Sequence, residues 1–137
     1  MSSLSLQDEV VLVTGASRGI GRAIAMAMAA AGATVVGTAT SDAGAAGITE
    51  ALQDAGARGK GMCLNVTDAE GVLAVTKEIA AEYGAISVLV NNAGITRDNL
   101  FMRMNDEEWQ SVLDVNLTAT FKLCKGVLRG MMKARWG

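Results

Sequence analysis

The chain has 137 residues, half of them apolar, with 12 Lys plus Arg against 14 Asp plus Glu and neither histidine nor proline. A net charge of −2 argues against a dedicated nucleic-acid binder, and the apolar fraction suffices to bury a core. Without histidine these residues build no Ser/His/Asp triad, no Cys/His pair and no His-ligated zinc, and no metal site is read from them. Cys63 and Cys124 stand far apart in apolar runs and are expected to be buried thiols of a reducing compartment.

Residues 10–14 form an uninterrupted apolar run, as in a parallel strand covered on both faces. Ile20, Ile24, Met28 and Ala31 then repeat at helical spacing, and Gly32 supplies the stop. Residues 34–38 read as a second strand, residues 43–55 as a glycine-broken helix and residues 61–64 as a third strand. Thr67 with Glu70 predicts a capping box, opening a helix striped by Val72, Val75 and Ile79 and closed by Tyr83. Residues 87–90 read as a fourth strand. A loop then runs to Asn105, which with Glu108 is expected to cap one long last helix. Leu117, Phe121, Cys124, Leu128 and Met131 recur on one face of it, and Lys122, Lys125, Arg129 and Lys133 on the other. Four strands alternating with helices predict an α/β fold, a Rossmann-type doubly wound parallel sheet.

Between the first strand and the first helix lies Thr14-Gly15-Ala16-Ser17-Arg18-Gly19-Ile20-Gly21. A dinucleotide pyrophosphate belongs at such a place: helix N–H groups and the positive dipole end meet it, and absent side chains let the backbone approach. The spacing is G-x-x-x-G-x-G instead of G-x-G-x-x-G, and a glycine-rich turn without a ligand is the alternative. The second strand ends Gly37-Thr38-Ala39-Thr40-Ser41, with hydroxyls where NAD-specific domains place an acid. Thr40, with Arg18 to meet a 2′-phosphate, predicts NADP(H); Asp42, two residues on, favours NAD if it reaches the ribose. A solvated surface charge is the alternative for Arg18.

Thr14-Gly15-x-x-x-Gly19-x-Gly21, Asn91-Asn92-Ala93-Gly94 after the fourth strand and Asn116 in the last helix together resemble the short-chain dehydrogenase/reductase family. Gly94-Ile-Thr-Arg-Asp-Asn-Leu-Phe-Met-Arg-Met104, Gly37-Thr-Ala-Thr-Ser41 and Met132-Lys-Ala-Arg-Trp-Gly137 are similar to bacterial 3-oxoacyl-[acyl-carrier-protein] reductases. Acetoacetyl-CoA reductases share the Gly-Ile-Thr-Arg-Asp part and are the nearest rival. The resemblance implies NADPH-dependent reduction of a carrier-linked 3-oxoacyl group in fatty acid biosynthesis. It implies that Gly15, Ala16, Ser17, Arg18, Gly19, Ile20, Gly21 and Thr40 hold the cofactor, that Asn65 and Val66 flank the adenine, and that Asn92, Ala93 and Gly94 lie along the ribose. Asn65 reads equally as a turn residue. Asn91 is expected to be structural, bonded to neighbouring backbone. Asn116 resembles the family's fourth catalytic residue, which kinks the helix and positions a water.

The family's Ser and Tyr-x-x-x-Lys have no counterpart here, because the single tyrosine, Tyr83, precedes the fourth strand with no Lys at the fourth position. They are expected after residue 137. Residues 1–137 are accordingly read as the N-terminal part of one NADP(H)-binding domain, with the C-terminal strands missing and no activity alone. A non-catalytic nucleotide-binding fragment and an interaction protein built on the long helix are the alternatives from other classes. Charge is uneven: residues 1–114 hold all 14 acids and 7 bases, whereas residues 115–137 hold 5 bases and no acid. That basic end is either a solvated face or a docking site for the acidic acyl carrier protein, with Arg135 as its contact by resemblance. Family resemblance also implies a homotetramer. The first nine residues lack a signal-peptide pattern and the longest apolar run is far too short for a membrane span, so a cytoplasmic protein without nucleic-acid or membrane partners is expected.

Overall fold

The chain alternates strands and helices: β1 Val10–Val13, α1 Gly19–Ala30, β2 Thr34–Ala39, α2 Asp42–Asp54, β3 Gly59–Cys63, α3 Ala69–Tyr83, β4 Val88–Val90, α4 Asp106–Leu113 and α5 Ala119–Ala134. A 3₁₀ turn, Phe101–Arg103, precedes α4, and a π-helical turn, Asp114–Thr118, joins α4 to α5. The computed structural model describes residues 5–95 and 97–137. The first four residues of the leader reading and Thr96 of the Gly94–Met104 stretch lie outside the described residues.

All four strands are parallel, in the order β3-β2-β1-β4. β1 is central, pairing Val10 with Thr34 on one side and Val11 with Val88 on the other. Its side chains alternate between two cores. Val11 and Val13 join Val35, Ala25, Ile48 and Leu52 under α1 and α2. Val10 and Leu12 join Val36, Val72, Ile79, Leu123 and Val127 under α3 and α5. Burial on both faces explains why β1 reads as continuous valine and leucine, and it makes the fold doubly wound. The chain moves outward from β1 to β3 and then returns to β1's other side as β4. That reversal opens a crevice at the strand C-termini beside β1.

Local rules account for most boundaries. Gly32, at φ 97°, closes α1 with the paired bonds Gly32 N–H to Ala29 O and Ala33 N–H to Met28 O. Asn105 caps α4, its Oδ1 accepting from Glu108 N–H at 2.8 Å. The rest of that box does not form, since the Glu108 carboxylate accepts from Asn99 instead. At α3 the predicted box fails entirely. Thr67 gives its N–H and its hydroxyl to Asn65 Oδ1, at 3.0 and 2.7 Å, and α3 starts after Asp68. The single long helix is interrupted by the π turn. Both cysteines are exposed, contrary to expectation: Cys63 sits on edge strand β3, and Cys124 lies away from the face of α5 that meets the core. Among the described residues no helix is long and apolar enough to cross a membrane.

Candidate cofactor site

A cleft of about 960 Å³ opens where β1, β2 and β4 end. Gly15, Ser17, Arg18 and Gly19 line it from the glycine loop, Thr40 from the end of β2, and Asn65 and Val66 from the turn after β3. Asn92, Ala93 and Gly94 complete that wall. Ten residues singled out from the sequence thus meet around one cavity.

Two of the remaining loop residues serve the loop itself, and a third faces solvent. Ala16 is buried, and its N–H donates to the Thr38 carbonyl at 2.8 Å. Gly21 is buried where a Cβ would collide with the Gly15 carbonyl oxygen and the Asn92 side-chain amide. Ile20 points outward, 75% exposed in the first turn of α1. Gly19 differs from Gly21: it sits at φ 60°, yet a Cβ there would meet nothing within 4 Å. Backbone conformation and open cleft, not a packed neighbour, demand that glycine.

The start of α1 suits an anion. Its N-cap is Arg18, which has no side-chain acceptor and makes no capping bond, so the first-turn N–H groups keep no side-chain partner. No acidic residue occupies that turn, which leaves the positive dipole end uncompensated. Backbone amides and Arg18 are together the donor set a pyrophosphate needs. The residues present therefore fit a dinucleotide.

Hydrogen bonds between strand ends hold this loop. Thr14 Oγ1, fully buried, accepts from Asn92 N–H and Ala93 N–H at 3.1 and 3.0 Å. Asn92 Nδ2 donates to the Gly15 carbonyl at 3.0 Å. Gly15, at φ 65°, donates its N–H to Thr38 Oγ1 at 3.3 Å. Asp42 is the first residue of α2, next to its Ser41 N-cap, and is absent from the described cleft lining. The end of β2 therefore presents Thr40 without a carboxylate.

Asn116 lies in the π turn and bonds the Ile95 backbone twice: Oδ1 accepts from Ile95 N–H at 2.8 Å and Nδ2 donates to Ile95 O at 2.9 Å. A Cβ on Gly94 would lie 3.2 Å from that Oδ1, so a glycine there lets the loop approach. Asn91 departs from expectation. Its Nδ2 donates to Cys124 Sγ at 3.5 Å, not to backbone, and its Oδ1 is buried without a partner. Tyr83 closes α3, far in sequence from the loop, with the Arg58 guanidinium 5.2 Å from its ring centre; burial raises its pKa. α3 returns to the edge where the strands begin, so Tyr83 lies away from the cleft. Arg135 caps α5, also away from it.

Sequence reading missed Thr38, the inner face of α4, where Glu107, Gln110 and Ser111 line the cleft, and Asp114 at the start of the π turn. Thr38 carried a signal, a hydroxyl in the buried part of a strand whose only other hydroxyl, Thr34, is its first residue. The α4 residues carried none, because their side of the helix is chosen by the turns before it.

A parallel sheet with its glycine loop at the switch point defines a Rossmann-type α/β domain. The chain belongs to the short chain dehydrogenase family, whose model matches residues 9–137. It is 58% identical over 134 residues to the 3-oxoacyl-[acyl-carrier-protein] reductase FabG of Vibrio cholerae, covering 98% of this chain and 54% of that protein. It is 55% identical to the Escherichia coli K12 protein of the same name with the same coverage. The Haemophilus influenzae protein is 52% identical over 132 residues, 96% of this chain and 53% of its own length. The chain spans about half the length of the curated relatives it matches.

Proposed function

We propose that the protein carrying this chain reduces 3-oxoacyl groups on acyl carrier protein with NADPH, and that these residues form the cofactor side of a single Rossmann domain. The end of β2 carries this reading: Thr40 and Arg18 line the cleft while Asp42 is drawn into α2. A hydroxyl and a guanidinium suit a 2′-phosphate, whereas a carboxylate at that strand end would repel it. The names of the relatives support the substrate.

Bound there, the nicotinamide cofactor would supply hydride to the 3-keto carbon. The chain's own residues bind and orient. Gly19, Arg18 and the first turn of α1 would hold the pyrophosphate, Asn65 and Val66 the adenine, and Asn92 to Gly94 the ribose. Asn116 fixes the loop at Ile95 with both polar atoms of its side chain, so it acts on the site by holding backbone in place. The general acid is not Tyr83, which lies at the wrong edge of the sheet. In this reading the Ser and the Tyr-x-x-x-Lys pair belong to residues beyond these 137, and the chain alone binds without turnover. Arg135 is read as a carrier-protein contact and the assembly as a homotetramer in the cytoplasm, on the resemblance alone.

Titration with NADPH and NADH tests the cofactor assignment. The unaltered protein should prefer NADPH, and Thr40→Asp should shift the ratio of dissociation constants toward NADH by about tenfold or more, some 1.4 kcal/mol of like-charge repulsion. An unchanged ratio would sink it.

A further inference from the structure

Thr38 belongs to β2, is 1% exposed, and stands in a strand whose other inward residues include Val35 and Val36. Valine has nearly its shape and suits a strand at least as well, so the hydroxyl needs a reason. Its oxygen accepts from Gly15 N–H at 3.3 Å, and the Thr38 carbonyl accepts from Ala16 N–H at 2.8 Å. On the opposite side Asn92 Nδ2 donates to the Gly15 carbonyl at 3.0 Å. Gly15 is thus suspended between β2 and the end of β4, in the left-handed conformation from which the loop turns toward α1. Thr38 stands one residue before the end of β2 and Thr40 is the first residue beyond it, and both line the cleft.

We propose that Thr38 is a positioning residue for the nucleotide loop. Its hydroxyl fixes the Gly15 amide and ties the loop that receives the pyrophosphate to the strand end that carries Thr40. The inference rests on the cofactor reading above. The pyrophosphate is common to both nicotinamide dinucleotides, so losing this bond must weaken both equally. A contact with the 2′-phosphate would weaken only NADPH.

Thr38→Val and Thr38→Ser in the protein that carries this chain separate these cases, read by dissociation constants for NADPH and NADH and by hydrogen exchange at the Gly15 amide. The valine variant should bind both cofactors about threefold to tenfold more weakly, with their ratio unchanged and Gly15 exchange accelerated. Serine should restore affinity and protection, which a role in strand filling alone would not predict. If valine prevents folding, Thr38→Cys, with its weaker hydrogen-bonding sulfur, takes its place with the same expectation. Wild-type affinity for both cofactors, a loss confined to NADPH, or failure of serine to restore binding would each overturn the proposal. Should the unaltered protein bind neither cofactor, the cofactor reading fails by itself, and unchanged Gly15 exchange in the valine variant would overturn the loop bond separately.

Discussion

Glycines in this fold do opposite work, and the space each faces tells them apart. Gly21 has ordinary helical backbone, where alanine would normally stabilise by about 0.5–1 kcal/mol. Its Cβ, however, would strike the Gly15 carbonyl, which is backbone held by Asn92 and cannot swing aside. Gly21→Ala should therefore destabilise by about 1–3 kcal/mol, an overpacking cost, and weaken cofactor binding with it. Gly47 lies inside α2, where a Cβ meets nothing within 4 Å. Gly47→Ala should raise the urea midpoint by an amount equivalent to about 0.5–1 kcal/mol. Opposite signs for the two variants in one denaturation series are the expected result. The loop motif singles out Gly21 and not Gly47 along the chain, and the neighbour across the loop gives the physical reason.

Elements in this chain are joined by polar links that period alone does not reveal. Thr49 on α2 donates to Ala45 O and accepts from Gly61 N–H at 2.9 Å, binding the helix to the free edge strand β3. On the other face Lys60 of β3 reaches Glu82 at 2.7 Å and Glu78 at 3.2 Å on α3. The hydrogen bond with Lys60 lowers the Glu82 pKa, and the reciprocal bond raises that of Lys60. A depressed carboxylate stabilises above its unfolded pKa and loses that contribution as pH falls through its folded one. A raised lysine stabilises below its unfolded pKa and loses its contribution as pH rises through the folded one. The cluster should thus contribute across neutral pH and fade at both extremes. Glu82 is exposed and Lys60 only partly buried, so the effect is small: Lys60→Met should lower Tm by at most a few degrees near pH 7. That difference should vanish once Glu82 is protonated, below the usual carboxylate range. A constant Tm difference across acid pH would assign the loss to the lysine stem's contacts instead.

The same scale decides the last helix. α5 carries two apolar faces, and the sheet takes Ala119, Leu123 and Val127. Leu117 and Phe121 remain 64% exposed and Leu128 53% exposed. Asn116 lies in the π turn before α5, and its side chain turns to the Ile95 backbone.

Across the whole molecule, the acids and the C-terminal bases are separated along the chain. Basic residues of 115–137 gather on exposed positions of α5 and its cap, and the acids lie elsewhere. Arg135 closes α5 in the left-handed conformation at φ 55°, where glycine would be cheaper by about 1 kcal/mol. The carrier contact proposed for Arg135 on the resemblance is tested by reversing its charge at that exposed corner. Arg135→Glu should raise the apparent KM for a carrier-linked substrate about threefold to fivefold, with salt reducing the difference, and leave a small thioester substrate unaffected. Equal loss with both substrates would count against docking.

Four strands, their intervening helices and the glycine loop were legible along the chain, because burial on both faces and helix periodicity act over a few neighbouring residues. Arg18 and Thr40 were read from the loop and the strand end, Asn65 and Asn92 from the family resemblance, and all four line one cleft. Partner choice is different. Thr67 bonds Asn65 instead of capping α3, Asn91 meets Cys124, and Thr38 holds Gly15, 23 residues away. For Asn91 and Thr38 the partner depends on distances that exist only once the strands and α5 have packed, whereas Thr67 turns to Asn65 two residues away and so gives up the helix cap.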